Sequence, residues 1–522
     1  MSYAKQFKPR VFPLLSLLLV LAGCSVAPPY VRPEIETPVA FKEALPTGPW
    51  KTAEPAESIP RGEWWKVFAD STLDSLEIQA AEANQDLKAG LARLAQARAL
   101  QQGARSSLFP QIGIGAGPTR QRPSPVSQGL PADAETSPST LWRAQATVAY
   151  EADLFGRIGS EVDAASAVTE QREALFRSLQ LAIQADVAQS YFALRELDAM
   201  AAIYAETVDL REQSLKLNQR RFDEGDVSEL ELAQSRTELA SARSEAFGVD
   251  RQRAVAEHSL AILLGQAPAA FGLPAQPLNR IALQIPAGLP SALLERRPDI
   301  AAAERAMAAA NARIGTARAA FFPRLSLTGA LGYESADLGD LFKWSSRTFI
   351  LGPLAGTLLS LPIFDGGARQ AGVDRATAAY EEDVANYRQT VLLAFKDVED
   401  NLAHLRLLAD QMHAQDQAVL AARRAARLSQ IQYREGSVSH LNVIDADRSV
   451  LQQRRVAVQL DADRVQATVN LIRAIGGSWN TNSVHAREEE VLLLARLPTP
   501  VDKDSPSQQA TESGLKTRPF DQ

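Results

Sequence analysis

The 522-residue chain is short of cysteine, histidine, aromatic residues and net basic charge, and each shortage removes a class of function. A single cysteine, Cys24, excludes an internal disulfide and any cysteine-built zinc cage. The five histidines, His258, His404, His413, His440 and His485, have no ligand spacing with carboxylates or with Cys24. No Gly-x-Ser-x-Gly elbow occurs. A glycine-rich stretch, GIGAG at 113–117, runs into Pro118 instead of opening a helix, so it is no dinucleotide fingerprint. The chain therefore reads as a non-enzyme without cofactor or metal. With 55 basic against 62 acidic residues, nucleic acid is not its main partner. Past residue 23 no apolar run reaches 18 residues, so no helix crosses a membrane.

What is present starts at the N-terminus. Residues 1–23 carry Lys5, Lys8 and Arg10, then an apolar run, then small residues before Cys24, which is the pattern of a secretory signal. Leu21-Ala22-Gly23-Cys24 resembles the bacterial lipoprotein box, which implies cleavage before Cys24, S-diacylglycerol on its thiol and an N-palmitoyl group. Ser25 in the next position implies sorting to the outer membrane. Residues 24–61 hold eight prolines and cannot be regular helix; they read as an extended strap. Residues 478–522 are polar, without a periodic apolar face, and read as a flexible tail.

Proline is also missing where it would stop a helix. None occurs over 157–222, and apolar residues recur there in steps of four or three: Leu179, Ile183, Val187, Tyr191, Leu194. A second such stretch covers 367–433. Each predicts a helix of about 100 Å, the length of a bundle or coiled coil. Both stretches end in a similar turn, FDEGDVSEL from Phe222 and YREGSVSHL from Tyr433, 211 residues apart. RSSLFP at Arg105 and RAAFFP at Arg318 repeat at nearly the same offset, so the chain is a duplication. The two copies span 62–270 and 298–477, joined by a linker over 271–297. Gly225 and Gly436 are expected to supply positive φ at the helix ends, and Ser228 and Ser439 to cap the helices that follow.

Each copy also carries a β-hairpin, over 108–154 and 322–363. Trp142, Ala144, Ala146, Val148 and Tyr150 alternate with Arg143, Gln145, Thr147 and Glu151; Leu325, Leu327 and Leu331 alternate with Ser326 and Thr328. A half-buried soluble sheet gives the same alternation, but behind an outer-membrane lipoprotein signal it reads as barrel strands with lipid on one face and water on the other. The return strand of the second hairpin, over 349–362, is interrupted by Pro353 and glycines. Four strands cannot close in lipid, where open edges leave amides unpaired, so the chain must oligomerise, giving 8, 12 or 16 strands for two, three or four copies. The fold class expected is mainly α with a membrane β-barrel portion, a duplicated helix, hairpin, long helix, turn and helix.

WWKVFADSTLDSLEIQ from Trp64, DLFGRIGSE from Asp153, RRPDIAAAERAMAAANARIGTARAAFFPRLSLTG from Arg296, PIFDGGARQA from Pro362 and the second turn together resemble the outer-membrane efflux factor family, in its TolC/NodT-type lipoprotein branch. The resemblance implies a homotrimer with a 12-stranded barrel continued by an α-helical periplasmic barrel. It implies a periplasmic adaptor and an inner-membrane pump, commonly of the resistance-nodulation-division type, as partners. The chain would then be the exit duct of a tripartite efflux system for small molecules such as drugs. A type I protein-secretion outlet and a structural coiled-coil lipoprotein are the alternatives. By the same resemblance, Leu441, Asp445 and Arg448 match the positions that close the periplasmic end. Asp445 and Arg448 alone would be an ordinary exposed ion pair. The tips, Gly225, Val227 and Ser228 with Gly436, Val438 and Ser439, match the adaptor-docking turns, and the two valines are expected to be exposed there.

Overall fold

The computed structural model describes residues 25–35, 37–38, 41–43, 62–276, 278, 296–352 and 358–477. The signal segment, Cys24, most of the linker and the tail lie outside the described residues.

A turn of 3-10 helix, Trp64–Phe68, leads into α1 (Ser71–Ala83) and α2 (Gln85–Ser106). The first hairpin is β1 (Gln111–Gln121) and β2 (Ser139–Ala152), followed by α3 (Arg157–Asp223) and α4 (Glu229–Leu263). The second copy gives α5 (Pro298–Ala319), β3 (Arg324–Ser335), β4 (Arg347–Leu351), β5 (Leu359–Ser360), α6 (Ala368–Arg434) and α7 (His440–Ala474). One helix was expected before the first hairpin, and two are found. Asn84 ends α1 and its side-chain oxygen accepts from the Asp86 and Leu87 amides at 2.9 and 3.0 Å, capping α2. The interrupted return strand is realised as two short pieces, β4 and β5, both paired with β3.

The duplication is metrical. Helices α3 and α6 both have 67 residues, α4 and α7 both have 35, and α2 and α5 both have 22. Uninterrupted alanine, leucine, glutamine and arginine sustain the long pair, and at 1.5 Å per residue each reaches about 100 Å. Every long helix ends the same way. The Gly225 and Asp226 amides donate to Phe222 O and Arg221 O, and the Gly436 and Ser437 amides to Tyr433 O and Gln432 O. Gly265 and Gly476 repeat this double bond at the ends of α4 and α7. These last two glycines also permit close packing: a Cβ on Gly476, at φ 85°, would sit 2.9 Å from Arg296 O. Asn84 donates to Leu263 O at 2.8 Å, and Arg297, between Asp299 and Asp397, donates to the equivalent Ala474 O at 3.2 Å. Through Arg297 the RRPDI block thus satisfies the last carbonyl of α7, Ala474 O.

The core lies in the middle of the molecule. Tyr191, Phe192, Leu73 and Leu260 pack with Val469 and Ile472 of α7, and a second cluster centres on Met307, Tyr387 and Val391. Glu77 is 1% exposed within the first region, and neither of its oxygens is hydrogen-bonded. Burial, with the charge of Asp74 adding to it, pushes its carboxyl up to about 9, so it is neutral at pH 7. The described part of the strap, within residues 25–43, lies on α5 and α6: Tyr30 Oη donates to Glu304 Oε1 at 3.0 Å, Arg32 Nε to Tyr387 Oη at 3.0 Å, and the Lys42 amide to Glu399 at 2.7 Å.

The strands form one antiparallel sheet in the order β1-β2-β3-β4, with β5 also on β3. The register puts Ile112, Val148 and Gly329 on one face, with Ile114, Ala146, Leu331 and Phe349 beside them. Gly113, Thr147 and Ala330 lie on the other face, where Arg143 pairs with Glu334 at 2.7 Å. Hydrocarbon on the first face is bare: Ile114 is 90% exposed, Phe349 71% and Leu331 67%.

Candidate functional site at the turn-bearing end of the helices

The two helical hairpins, α3–α4 and α6–α7, meet where α3 and α7 run antiparallel. Their contact is polar along much of its length. Gln189 Nε2 donates to Asn470 Oδ1 at 2.7 Å, Glu196 faces Asp463, and Arg455 lies over the Tyr204 ring at 5.6 Å. Further along, Arg211 pairs with Asp447 at 3.2 Å, and Asn218 meets His440 at 3.3 Å. On each helix these residues recur in steps of seven or eight. A coiled-coil seam with a polar group in each heptad fixes register at a cost in stability. Burial, with the charge of Asp463 adding to it, pushes Glu196 up to about 7, so this layer holds a titrating carboxyl at neutral pH.

The seam ends in a charged cluster. Arg211, 9% exposed, lies between Asp447 and Glu238, whose carboxylate is 3.8 Å away. Glu238 also receives the guanidinium of Arg448 through Nε and Nη2. Arg448 reaches Asp445 at 3.5 Å. Beyond it Arg221 Nη1 donates to Tyr433 Oη at 3.0 Å, which ties the end of α3 to the end of α6. Asp445 and Arg448 therefore do share one helix face, as their spacing predicts. Arg448 is bound mainly across the hairpin boundary. Leu441, 48% exposed, stands free beside them.

At the turns, Gly225 and Gly436 have φ of 81° and 72°, the left-handed conformation expected. Two expectations need correction. Val227 and Val438 are half-buried and do not stand fully exposed. Ser228 Oγ caps the Glu231 amide at 3.4 Å, but Ser439 Oγ makes no cap; it donates to Asn442 Oδ1 at 2.8 Å. Sequence reading missed Arg211, Asn218, Glu238 and Asp447. Arg211, Asn218 and Asp447 share one signal, a heptad of polar residues on two helices that run opposite ways, invisible within either segment alone; Glu238 lies on α4, outside that heptad.

Residues 78–266 and 289–477 each match the family described as "Outer membrane efflux protein". The two matches are themselves 211 residues apart, one per copy. The "Probable efflux pump outer membrane protein TtgC" of Pseudomonas putida is 35% identical over 489 residues, which cover 91% of this chain and 98% of that protein. The "Cation efflux system protein CusC" of Escherichia coli is 34% identical over 467 residues, covering 88% and 97%. Among solved structures, that of the outer-membrane channel OprN superposes with a TM-score of 0.77 at 29% identity, over 87% of this chain and all of the other.

Proposed function

The chain belongs to the outer membrane efflux protein family, and from that premise we propose that it works as the exit duct of an efflux system, its sheet in the outer membrane and its helices in the periplasm. One observation carries the reading: the sheet presents a continuous bare hydrocarbon face, backed by a face of small and polar residues and attached to helices of about 100 Å. A soluble coiled-coil spacer has no use for such a face.

The outer strands β1 and β4 leave the sheet open in one copy, and lipid does not tolerate open edges. Three copies would close it as a 12-stranded barrel wide enough for a lumen, the number that the family resemblance implies. Cys24 would carry the lipid anchor. In support, the next residue, Ser25, lies against Gly156, where β2 passes into α3, and the Val26 amide donates to Phe155 O at 3.5 Å. That is the level at which lipid headgroups would meet the protein.

At the far end, rings of Leu441 and Asp445 from three copies would narrow the tube, apolar in one layer and cation-attracting in the next. Arg448 would hold this face to Glu238 of the first hairpin. The half-buried Val227 and Val438 would form the apolar floor of two adaptor-docking notches, and an inner-membrane pump would complete the path. The pump would select the cargo, since the duct's named relatives serve different exports. The test is reconstitution. Purified protein should form discrete pores in planar bilayers and cross-link as a trimer. Asp445→Ala with Arg448→Ala should raise closed-state conductance, and Val227→Asp with Val438→Asp should abolish adaptor cross-linking without dispersing the trimer. Failure to form pores at all would overturn the reading.

A further inference from the structure

Next to the proposed constriction lies a buried hydrogen-bond hub outside the Arg211 cluster. Asn218 of α3, Ser235 of α4 and His440, the first residue of α7, are 2%, 3% and 5% exposed. Asn218 Nδ2 donates to Ser235 Oγ at 2.8 Å and lies 3.3 Å from His440 Nε2. Ser235 Oγ in turn donates to Glu231 O at 3.0 Å. Asn218 Nδ2 can only donate, so His440 Nε2 must be an acceptor and the ring's proton must sit on Nδ1. His440 Nδ1 has no hydrogen-bond partner, and neither has the buried Glu231 Oε2. The Tyr433 ring covers the imidazole at 5.3 Å.

We propose that Asn218, Ser235 and His440 form a proton-sensitive latch that holds the second helical hairpin to the first beside Leu441, closed while His440 is neutral and released when it is protonated. Protonation places a hydrogen on Nε2, so the Asn218 amide meets a donor where it had an acceptor, and a buried donor left unmatched is costly. This proposal rests on the reading of the turn-bearing end as the constriction. It adds positioning residues to that constriction and a signal that controls it.

Several charges bear on the imidazole. Burial lowers its pKa most; Glu231 of α4 and Asp447 of α7 favour the proton, while Arg211 and Arg221 of α3 oppose it. A histidine held below its ordinary value stays neutral at neutral pH and charges on the acid side. The latch is therefore complete near neutrality and is lost as pH falls through the folded value. Asp447 is also pushed up by burial and can take a proton in acid, weakening its pair with Arg211, so the test must separate the two groups.

Two readouts do so. The first is closed-state conductance in planar bilayers at about pH 7.5 and about pH 5. Wild type should show roughly a tenfold rise in opening at the lower pH, the scale set by one buried hydrogen bond. His440→Gln keeps an acceptor without a titrating group and should be flat, whereas Asn218→Ala should be open at both values. The second readout is the distance between spin labels at the exposed turn residues Asp226 and Ser437. It should lengthen in acid for wild type and not for His440→Gln. A wild-type distance and conductance that ignore pH would overturn the latch, as would an acid response that persists in His440→Gln. If the labels separate in acid while conductance stays constant, the latch stands and the placement of the constriction fails.

Discussion

In the middle of the molecule α3 and α7 meet through Tyr191, Leu194, Val469 and Ile472, all within 1% of full burial. Toward the turns the same two helices meet through Arg211, Asp447, Asn218 and His440. The first contact is joined by α1 and α4 into a core. The second also buries Ile444, between His440 and Asp447, but it is joined by directional bonds that lose their strength when one partner is removed or titrated. Hydrocarbon burial is worth about 25 cal/mol per Å² wherever it occurs and resists small displacements. A polar seam is strong in register and weak out of it. One end of the pair is therefore built to stay closed, and the other is built to come apart as a unit.

The comparison can be broken most forcibly at the core. Tyr191→Ala removes a ring that is 1% exposed and the hydroxyl that bonds Asp70 at 2.6 Å, the residue capping α1. A loss of about 3 to 5 kcal/mol is expected, seen as lower yield of the folded, heat-modifiable form. Arg211→Ala should cost about 3 kcal/mol, but locally, because it leaves Asp447 half-buried without its cation and Glu238 with only Arg448. Hydrogen exchange should rise over 211–238 and 440–450 and stay unchanged over 181–194.

Glu77 tests whether the middle region tolerates polarity at all. Its folded pKa is raised from 4.5 to about 9, so the unfolded chain releases its proton first. Stability from this group is complete below pH 4.5 and falls as pH rises toward 9. Glu77→Gln should remove that slope and stabilise the protein by up to about 3 kcal/mol at pH 7, with no gain in acid, as measured by denaturant unfolding across pH. The smallest effect distinguishes the two turns. Ser228→Ala should lose about 1 kcal/mol of helix capping, and Ser439→Ala close to nothing, checked by exchange at the Glu231 and Asn442 amides.

Much of this architecture could be read in the residues because it depends on local rules. The absence of proline fixed the two long helices to within a residue, and alternation at Trp142 to Glu151 gave the sheet its two faces. The turns announced themselves by Gly225 and Gly436, since few other residues adopt that backbone conformation. The seam was not legible. Arg211 and Asp447 are 236 residues apart, and each alone is an ordinary charge on a helix. The capping expectation failed at Ser439 because its hydroxyl turns to donate to the Asn442 side chain and its oxygen accepts from no helix amide. Asp445 and Arg448 were found by resemblance, while the structure adds the carboxylate of Glu238 that holds Arg448.

The difference between copies follows the same line. The positions in the second copy that correspond to Arg211 and Asn218 are Ala422 and Ser429, and Asp445 and Arg448 correspond to Gln234 and Thr237 in the first. Each hairpin thus supplies what the other lacks, and the pairs Arg211–Asp447 and Arg448–Glu238 join the two.

The most direct test is closed-state conductance of Arg211→Ala in planar bilayers, with the heat-modifiable form monitored in the same preparation. The account predicts a rise in conductance with that form intact, because the seam opens while the core holds. Unchanged conductance, with hydrogen exchange showing the seam already loosened, would contradict it.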